Sequence, residues 1–202
     1  MMKKVATLTE IQLKDYRQEF ITLLEKTKRK NMESLILWLE NETDFFVAPA
    51  STKMHGSFVG GLLLHSLNVY KLLVNFNKKI GMESQDSLII AGLLHDVCKA
   101  NLYVKRIKNV KIQEQNKWVE EESFAIEDSF PFGHGEKSVY LLMKHIVLTD
   151  EEAMAIRWHM GGYDDAARSY IGGITQSNAY AAYPLAPALA IADMYATYFA
   201  DK

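Results

Sequence analysis

The chain has little cysteine and almost no excess charge. Its one cysteine, Cys98, excludes an internal disulfide and fits a reducing compartment, so we expect a cytoplasmic protein. The 23 Lys and Arg nearly balance the 25 Asp and Glu, which leaves a net charge of −2. A binder of long nucleic acid usually has a strongly basic face. We therefore expect no long nucleic acid partner, whereas a mononucleotide or a short oligonucleotide remains compatible with this charge.

Signals for a membrane or for secretion are also lacking. Residues 1–4 are not followed by the apolar run of a secretory signal. Residues 180–200 are nearly all apolar, but they include Pro184, Pro187 and Asp193. Because a carboxylate is costly at the centre of a bilayer, a buried core helix explains this stretch better than a membrane span does.

Several familiar catalytic motifs are absent from the sequence. It contains no His-Glu-x-x-His, no Gly-x-Ser-x-Gly and no Gly-x-x-x-x-Gly-Lys. The glycine pairs at 60–61, 161–162 and 172–173 match no dinucleotide fingerprint and indicate turns or close helix approach. Cys98 lies in an apolar helical stretch, which favours a packing role over a nucleophilic one.

The pattern that is present is mostly helical, and the length suits one domain. Capping boxes at Thr9/Gln12 and Thr149/Glu152 mark two helix starts. Residues 41–51 and 161–182 are expected to be loops, and residues 103–113 and 117–121 to form a β-hairpin. Apolar periodicity predicts helices over residues 9–27, 32–40, 56–80, 86–100, 134–145, 149–159 and 187–200.

Polar groups on the apolar helix faces indicate a site. His65, His95, Asp96 and Asp193 lie on three different apolar helices, where packing should carry them inward. Burying such groups without partners is costly. For one histidine alone a local hydrogen-bond partner is the commoner explanation, but a shared cation would satisfy all four groups together. Imidazole nitrogens and carboxylate oxygens suit divalent ions such as zinc, manganese or iron.

These residues resemble the His…His-Asp…Asp signature of HD-domain phosphohydrolases. The matching stretches are Gly60-Gly-Leu-Leu-Leu-His65, Gly92-Leu-Leu-His95-Asp96 and Ile191-Ala-Asp193. His134 and His159 fall where two-metal branches of the family have further histidines. The resemblance covers residues 49–200, and its first part is similar to the HD domain of bacterial 3′–5′ exoribonucleases. Those relatives carry an OB-type domain first, whereas only about 48 residues precede the HD region here, which favours a small substrate.

The resemblance implies an all-α HD helical bundle with a small β-hairpin excursion. Residues 1–48 would be a helical extension packed on the HD domain of residues 49–202. Two divalent metals (Mn, Fe, Ni, Co, Mg or Zn) would activate a water that attacks phosphorus. The first metal would be held by His65, His95, Asp96 and Asp193, and the second by Asp96, His134 and His159.

Three further residues are candidates for contact with the substrate: Lys99, His55 and Arg157. Asp96, as the ligand shared by the two metals, and Lys99 are also expected to be catalytic. Lys99 would stabilise the charge of the transition state on the phosphate. An equally good reading of Lys99 is a favourable cation at the end of a helix. His145 falls outside the metal pattern and is expected to be a surface or core histidine.

We therefore predict a metal-dependent phosphohydrolase that cleaves a phosphate ester of a nucleotide or short oligonucleotide, as a phosphomonoesterase or a phosphodiesterase. The alternative is a catalytically silent HD module that binds nucleotide or metal as a sensor. The expected partner is a small phosphorylated substrate, with no membrane, and a homo-oligomer is compatible with the sequence.

Overall fold

A computed structural model describes residues 7–81, 84–112 and 116–201. The prediction of an all-α bundle with a small hairpin is confirmed. The two strands are β1 (Tyr103–Ile112) and β2 (Lys117–Ile126). The helices are α1 (Glu10–Lys26), α2 (Met32–Asn41), α3 (Gly61–Ile80), α4 (Gln85–Leu94), α5 (His134–Met143), α6 (Asp150–Trp158), α7 (Tyr170–Ala182) and α8 (Leu185–Tyr195).

Helix α4 forms the centre of the core. Every residue from Ser87 to Leu94 is buried, which agrees with a segment that is apolar on all sides. Helix α3 packs closely on it, because a Cβ on Gly92 would lie 2.7 Å from the Cα of Tyr70. Leu185 and Leu189 of α8 complete the same cluster. The core therefore fixes the relative positions of the three helices that carry the first polar site residues.

The N-terminal helices pack on this core. The capping box that starts α1 is present, with Thr9 and Gln12 exchanging hydrogen bonds. Phe20 and Leu24 of α1 are fully buried, and the ring centroid of Phe20 lies 5.2 Å from that of Phe45. One cluster contains these side chains together with the apolar residues of α3 and α4. The domain boundary after residue 48 stays a prediction.

A buried ion pair joins the α1–α2 loop to α6. Glu152 is fully buried, and its carboxylate accepts two hydrogen bonds from Arg29, at 2.7 and 2.9 Å. Ser87 donates to the same carboxylate at 2.9 Å. The backbone N–H of Thr149 also donates to it, which completes the capping box predicted for α6. Glu152 thus connects the N-terminal helices, α4 and α6.

The prediction of a loop over residues 161–182 is wrong for its second half. Residues Tyr170–Ala182 form α7, which Ser169 caps by accepting from the backbone N–H of Gly172 at 3.0 Å. Gly172 permits a close approach, since a Cβ there would lie 1.8 Å from the Ala166 oxygen. Gly161 does sit in a turn, with φ of +57°.

Other boundaries also differ from the expectation. Helix α3 begins at Gly61 rather than near residue 56, and α4 ends at Leu94, after which Val97–Lys99 form a 3-10 turn. Helix α8 begins at Leu185 and continues as the π-helical turn Ala196–Ala200. Strand β2 runs to Ile126, past the predicted end. Residues 113–115, in the connection of the hairpin, lie outside the described residues. Among the described residues, no helix has the length and apolar character to cross a bilayer.

Glu152→Ala should destabilise the protein because it leaves the Arg29 guanidinium without its buried partner and removes a helix cap. We expect the free energy of unfolding to fall by about 3 kcal/mol, measured by urea denaturation. Glu19→Ala is the matched control, since it removes only the exposed ion pair with Lys71; its cost should stay below about 1 kcal/mol. Equal losses in the two variants would contradict a structural role for the buried pair.

Candidate metal centre

The structure brings the six predicted ligand side chains together from five helical elements. His65 lies on α3, and His95 and Asp96 follow the last residue of α4. His134 opens α5, His159 follows α6, and Asp193 lies on α8. Three groups of side chains have ligand atoms within 4.8 Å of one another, close enough to share a cation: His65/His95/Asp193, His95/Asp96/His159, and Asp96/His134 with the sulfur of Cys98. Their role as ligands stays a prediction.

Asp96 is the centre of this arrangement, and its two carboxylate oxygens face different histidines. Oδ1 lies 2.8 Å from Nε2 of His134 and 3.5 Å from Nε2 of His159. Oδ2 lies 3.5 Å from Nε2 of both His65 and His95. Asp96 is only 1% exposed. The Asp96 carboxylate therefore lies between two pairs of histidines.

The other ring nitrogen, Nδ1, of each of these histidines has its own partner. Such partners fix the orientation of a ligand ring. The Nδ1 contacts are His65 with Asp201 at 2.6 Å, His95 with the Gly92 oxygen at 3.0 Å, His159 with the Ile156 oxygen at 2.6 Å, and His134 with the Cys98 sulfur at 3.5 Å. All four Nε2 atoms are thereby left facing Asp96.

His159 presents an unsatisfied lone pair. A backbone oxygen can only accept, so Nδ1 of His159 carries the hydrogen that is donated to Ile156. Burial lowers the pKa of His159, so its ring is neutral at pH 7 and Nε2 carries a lone pair. This buried Nε2 has no hydrogen-bond partner, although it points at a carboxylate oxygen of Asp96. Two acceptors facing each other in the interior fit a cation between them.

Protons and Lys99 balance the buried carboxylates in the metal-free protein. Lys99 donates to Asp96 at 2.6 Å. Burial lowers the pKa of His65, but hydrogen bonds with Asp193 and Asp201 outweigh it and raise that pKa to about 9. Burial opposes charge on His134 too, yet Cys98 and Asp96 raise its pKa to about 10. Despite its burial, Asp96 keeps a pKa well below the usual range because of Lys99 and the histidines.

The remaining predicted contact residues have different surroundings. His55 lines the cavity in front of the centre, 4.9 Å from His65 between ring centroids, and both its ring nitrogens are buried without a partner. Burial and the neighbouring His65 lower its pKa to about 4. Arg157 is paired with Glu136 and Asp164 and lies over the ring of Trp158, away from the cavity lining. The geometry thus gives the Arg157 guanidinium structural partners.

Two residues near the centre were missed by the sequence reasoning. Asp201 holds Nδ1 of His65 and also accepts from Asn68 at 2.8 Å. It comes after the π-helical turn Ala196–Ala200, outside the predicted helix, so helical spacing from Asp193 gave no signal for it. Cys98 was interpreted as packing, yet its sulfur contacts His134. His145 stacks on Trp38 with 4.9 Å between ring centroids, outside the centre.

The comparisons with known proteins identify the family. The family model named HD domain matches residues 62–197, more than half of the chain, so the protein belongs to the HD family. HD domains bind divalent metals and are usually metal-dependent hydrolases. No curated protein and no solved structure gives a significant match. The similarity to exoribonucleases therefore stays a prediction.

Metal binding should release protons. In the metal-free protein His65 and His134 keep a proton up to about pH 9 and about pH 10, and a metal needs the lone pair of a neutral ring. At pH 7 binding should expel about two protons, and the apparent affinity should rise as the pH approaches 9. Titration calorimetry with Mn²⁺, in buffers of different ionisation enthalpy, measures how many protons are released per protein. A release near zero, or a metal affinity that falls with rising pH, would contradict these protonation states.

Asp201→Asn should weaken metal binding while leaving the fold intact, because an amide holds the Nδ1–H of His65 less strongly than a carboxylate. We expect the Kd for Mn²⁺ to rise about 10-fold or more, measured by calorimetry, with thermal unfolding as the test of folding. Asp165→Asn is the matched control, since Asp165 is exposed and pairs only with Arg168 among the described ion pairs. Unchanged affinity in Asp201→Asn would exclude an orienting role.

Proposed function

We propose that this HD protein is a metal-dependent phosphohydrolase that cleaves a phosphate ester of a nucleotide or short oligonucleotide. The observation that carries the proposal is the unpartnered Nε2 of His159, which faces an oxygen of Asp96. Proton sharing satisfies the contact between His134 and Asp96, but Nε2 of His159 has no hydrogen-bond partner among the described residues. A purely structural cluster would have no reason to keep that contact.

Six residues are proposed to hold the metals: His65, His95, Asp96, His134, His159 and Asp193. Bound divalent metals, two in this proposal, would supply a water of lowered pKa and neutralise charge on the phosphoryl oxygens. The split of the Asp96 carboxylate between two pairs of histidines supports two adjacent sites. The nitrogen and oxygen donors suit transition metals better than calcium.

Lys99 is proposed to bind the phosphate. It lines the cavity, and its ammonium is held in place by the 2.6 Å hydrogen bond to Asp96. Although burial opposes its charge, Asp96 raises the pKa of Lys99, so the group remains a donor and cannot serve as a base at neutral pH. A fixed ammonium beside the reacting phosphate stabilises the negative charge of the transition state.

His55 is the second proposed substrate contact. It lies on the cavity wall and is neutral at pH 7, since its pKa is lowered to about 4. Its two unpartnered nitrogens offer one donor and one acceptor to a polar group of the substrate. A neutral ring adds no charge repulsion against the bound metals.

The central test is hydrolysis of p-nitrophenyl phosphate and bis-p-nitrophenyl phosphate with added Mn, Fe, Ni, Co, Mg or Zn. We expect metal-dependent turnover that falls at least about 1,000-fold in Asp96→Ala, because the loss of the bridging carboxylate removes both metal sites. Circular dichroism should show that the helical fold survives. The preferred ester separates a phosphomonoesterase from a phosphodiesterase.

His145→Gln is the matched control, because His145 stacks on Trp38 outside the centre and should leave turnover unchanged. Full activity in Asp96→Ala would exclude the proposed mechanism. Bound metal without turnover of any ester would instead favour a silent HD module that binds metal or nucleotide.

A further inference from the structure

The cavity in front of the metal centre has an apolar, exposed mouth. Its volume is about 250 Å³. Its inner wall includes His159 and Lys99, which are buried. Four of its other lining side chains are exposed: Met54 by 70%, Tyr163 by 59%, Met194 by 51% and Tyr198 by 43%. Charge is thus concentrated inside the cavity, and apolar surface lies around its entrance.

Two tyrosines from different elements meet at this mouth. Tyr163 ends the 3-10 turn Gly161–Tyr163, and Tyr198 lies in the π-helical turn Ala196–Ala200. Their hydroxyl groups are 3.4 Å apart. A continuous exposed apolar patch around a polar centre is typical of a ligand-binding surface. Tyrosine rings provide flat faces on which nucleobases stack, and methionine side chains adapt to irregular ligands.

The charge of the lining limits how many phosphates can be bound. Among the described lining residues, Lys99 is the only Lys or Arg, and Asp96 already pairs with it. Asp193 adds a negative charge on the same wall. A second or third phosphate would leave the metal centre and meet methionine and tyrosine side chains. At this exposed mouth a further phosphate would gain no cationic partner among the described lining residues, and it would take the place of a base on the tyrosine rings.

The small size of the cavity also favours a substrate with one phosphate. Ligand cavities usually measure about 300–1,000 Å³, so a volume of about 250 Å³ is small. It suits one phosphate with one attached group, and the flat aromatic mouth suits a base better than a sugar chain or an alkyl chain.

We infer that the substrate carries one phosphate, placed at the metal centre, and one nucleobase, stacked at Tyr163 and Tyr198. Nucleoside di- and triphosphates are then poor substrates. This inference rests on the proposed phosphohydrolase function, and it names the substrate class of the same site.

The test compares kcat/KM for nucleoside monophosphates, nucleoside triphosphates and glycerol phosphate with the metal-loaded protein. We expect the monophosphate to exceed both others at least about 10-fold. In Tyr198→Leu and Tyr163→Leu, the ratio of kcat/KM for the monophosphate to that for glycerol phosphate should fall about 10-fold, mainly through KM. Tyr170→Leu is the control, since Tyr170 is 85% exposed and lies outside the cavity; its ratio should not change.

The outcomes separate the two proposals. If phosphate esters are hydrolysed but triphosphates are preferred, or if the tyrosine variants leave the ratio unchanged, the inference is wrong while the phosphohydrolase proposal stands. If no ester is hydrolysed with any metal, calorimetry with adenosine and adenosine monophosphate still decides the inference. Binding that weakens about 10-fold in Tyr198→Leu would support it, and an absence of binding to the wild-type protein would overturn it.

Discussion

The buried carboxylate of Asp96 is the constraint on which the arrangement of this protein depends. A charge inside a protein is stable only when other groups surround it with compensating donors. For Asp96 these groups come from α3, α5, α6 and the 3-10 turn after α4, through His65, His134, His159 and Lys99. Four segments must therefore converge on one point. The apolar core positions the helices, and the carboxylate contacts the polar residues that they bring together.

Close helix packing makes that convergence accurate. Gly92 has no side chain, so α3 can approach α4 until Nε2 of His65 lies 3.3 Å from Nε2 of His95. Any larger residue at position 92 would separate the helices and, with them, the two rings. The buried pair of Arg29 and Glu152 acts at the other end of α4, where Ser87 joins it to α6. The same contacts that stabilise the fold therefore set the distances in the site.

The sequence predicted those parts of the site that depend on helix periodicity. His65 and Asp193 lie within apolar helices, and His95 directly follows the buried α4, so their inward direction could be worked out from the apolar residues around them. His134 and His159 lie at helix ends, where periodicity gives no direction, and only the resemblance to HD proteins indicated them. Asp201 was missed because it follows a π-helical turn beyond the predicted helix. Helix α7 was missed because glycines usually mark loops, whereas Gly172 permits contact with Ala166 within a helix start.

Proposed chemistry and proposed specificity are carried by neighbouring residues in the chain. Met160 follows His159, and Met194 follows Asp193, so one stretch of backbone positions both a candidate ligand and a part of the mouth. The backbone that positions the candidate metal-ligating residue therefore also positions the next side chain at the entrance. Substitutions at the mouth can then change the substrate while the buried centre keeps its geometry. Substitution of a histidine at the centre would disturb two contacts, because each of these histidines faces Asp96 through Nε2 and a second partner through Nδ1.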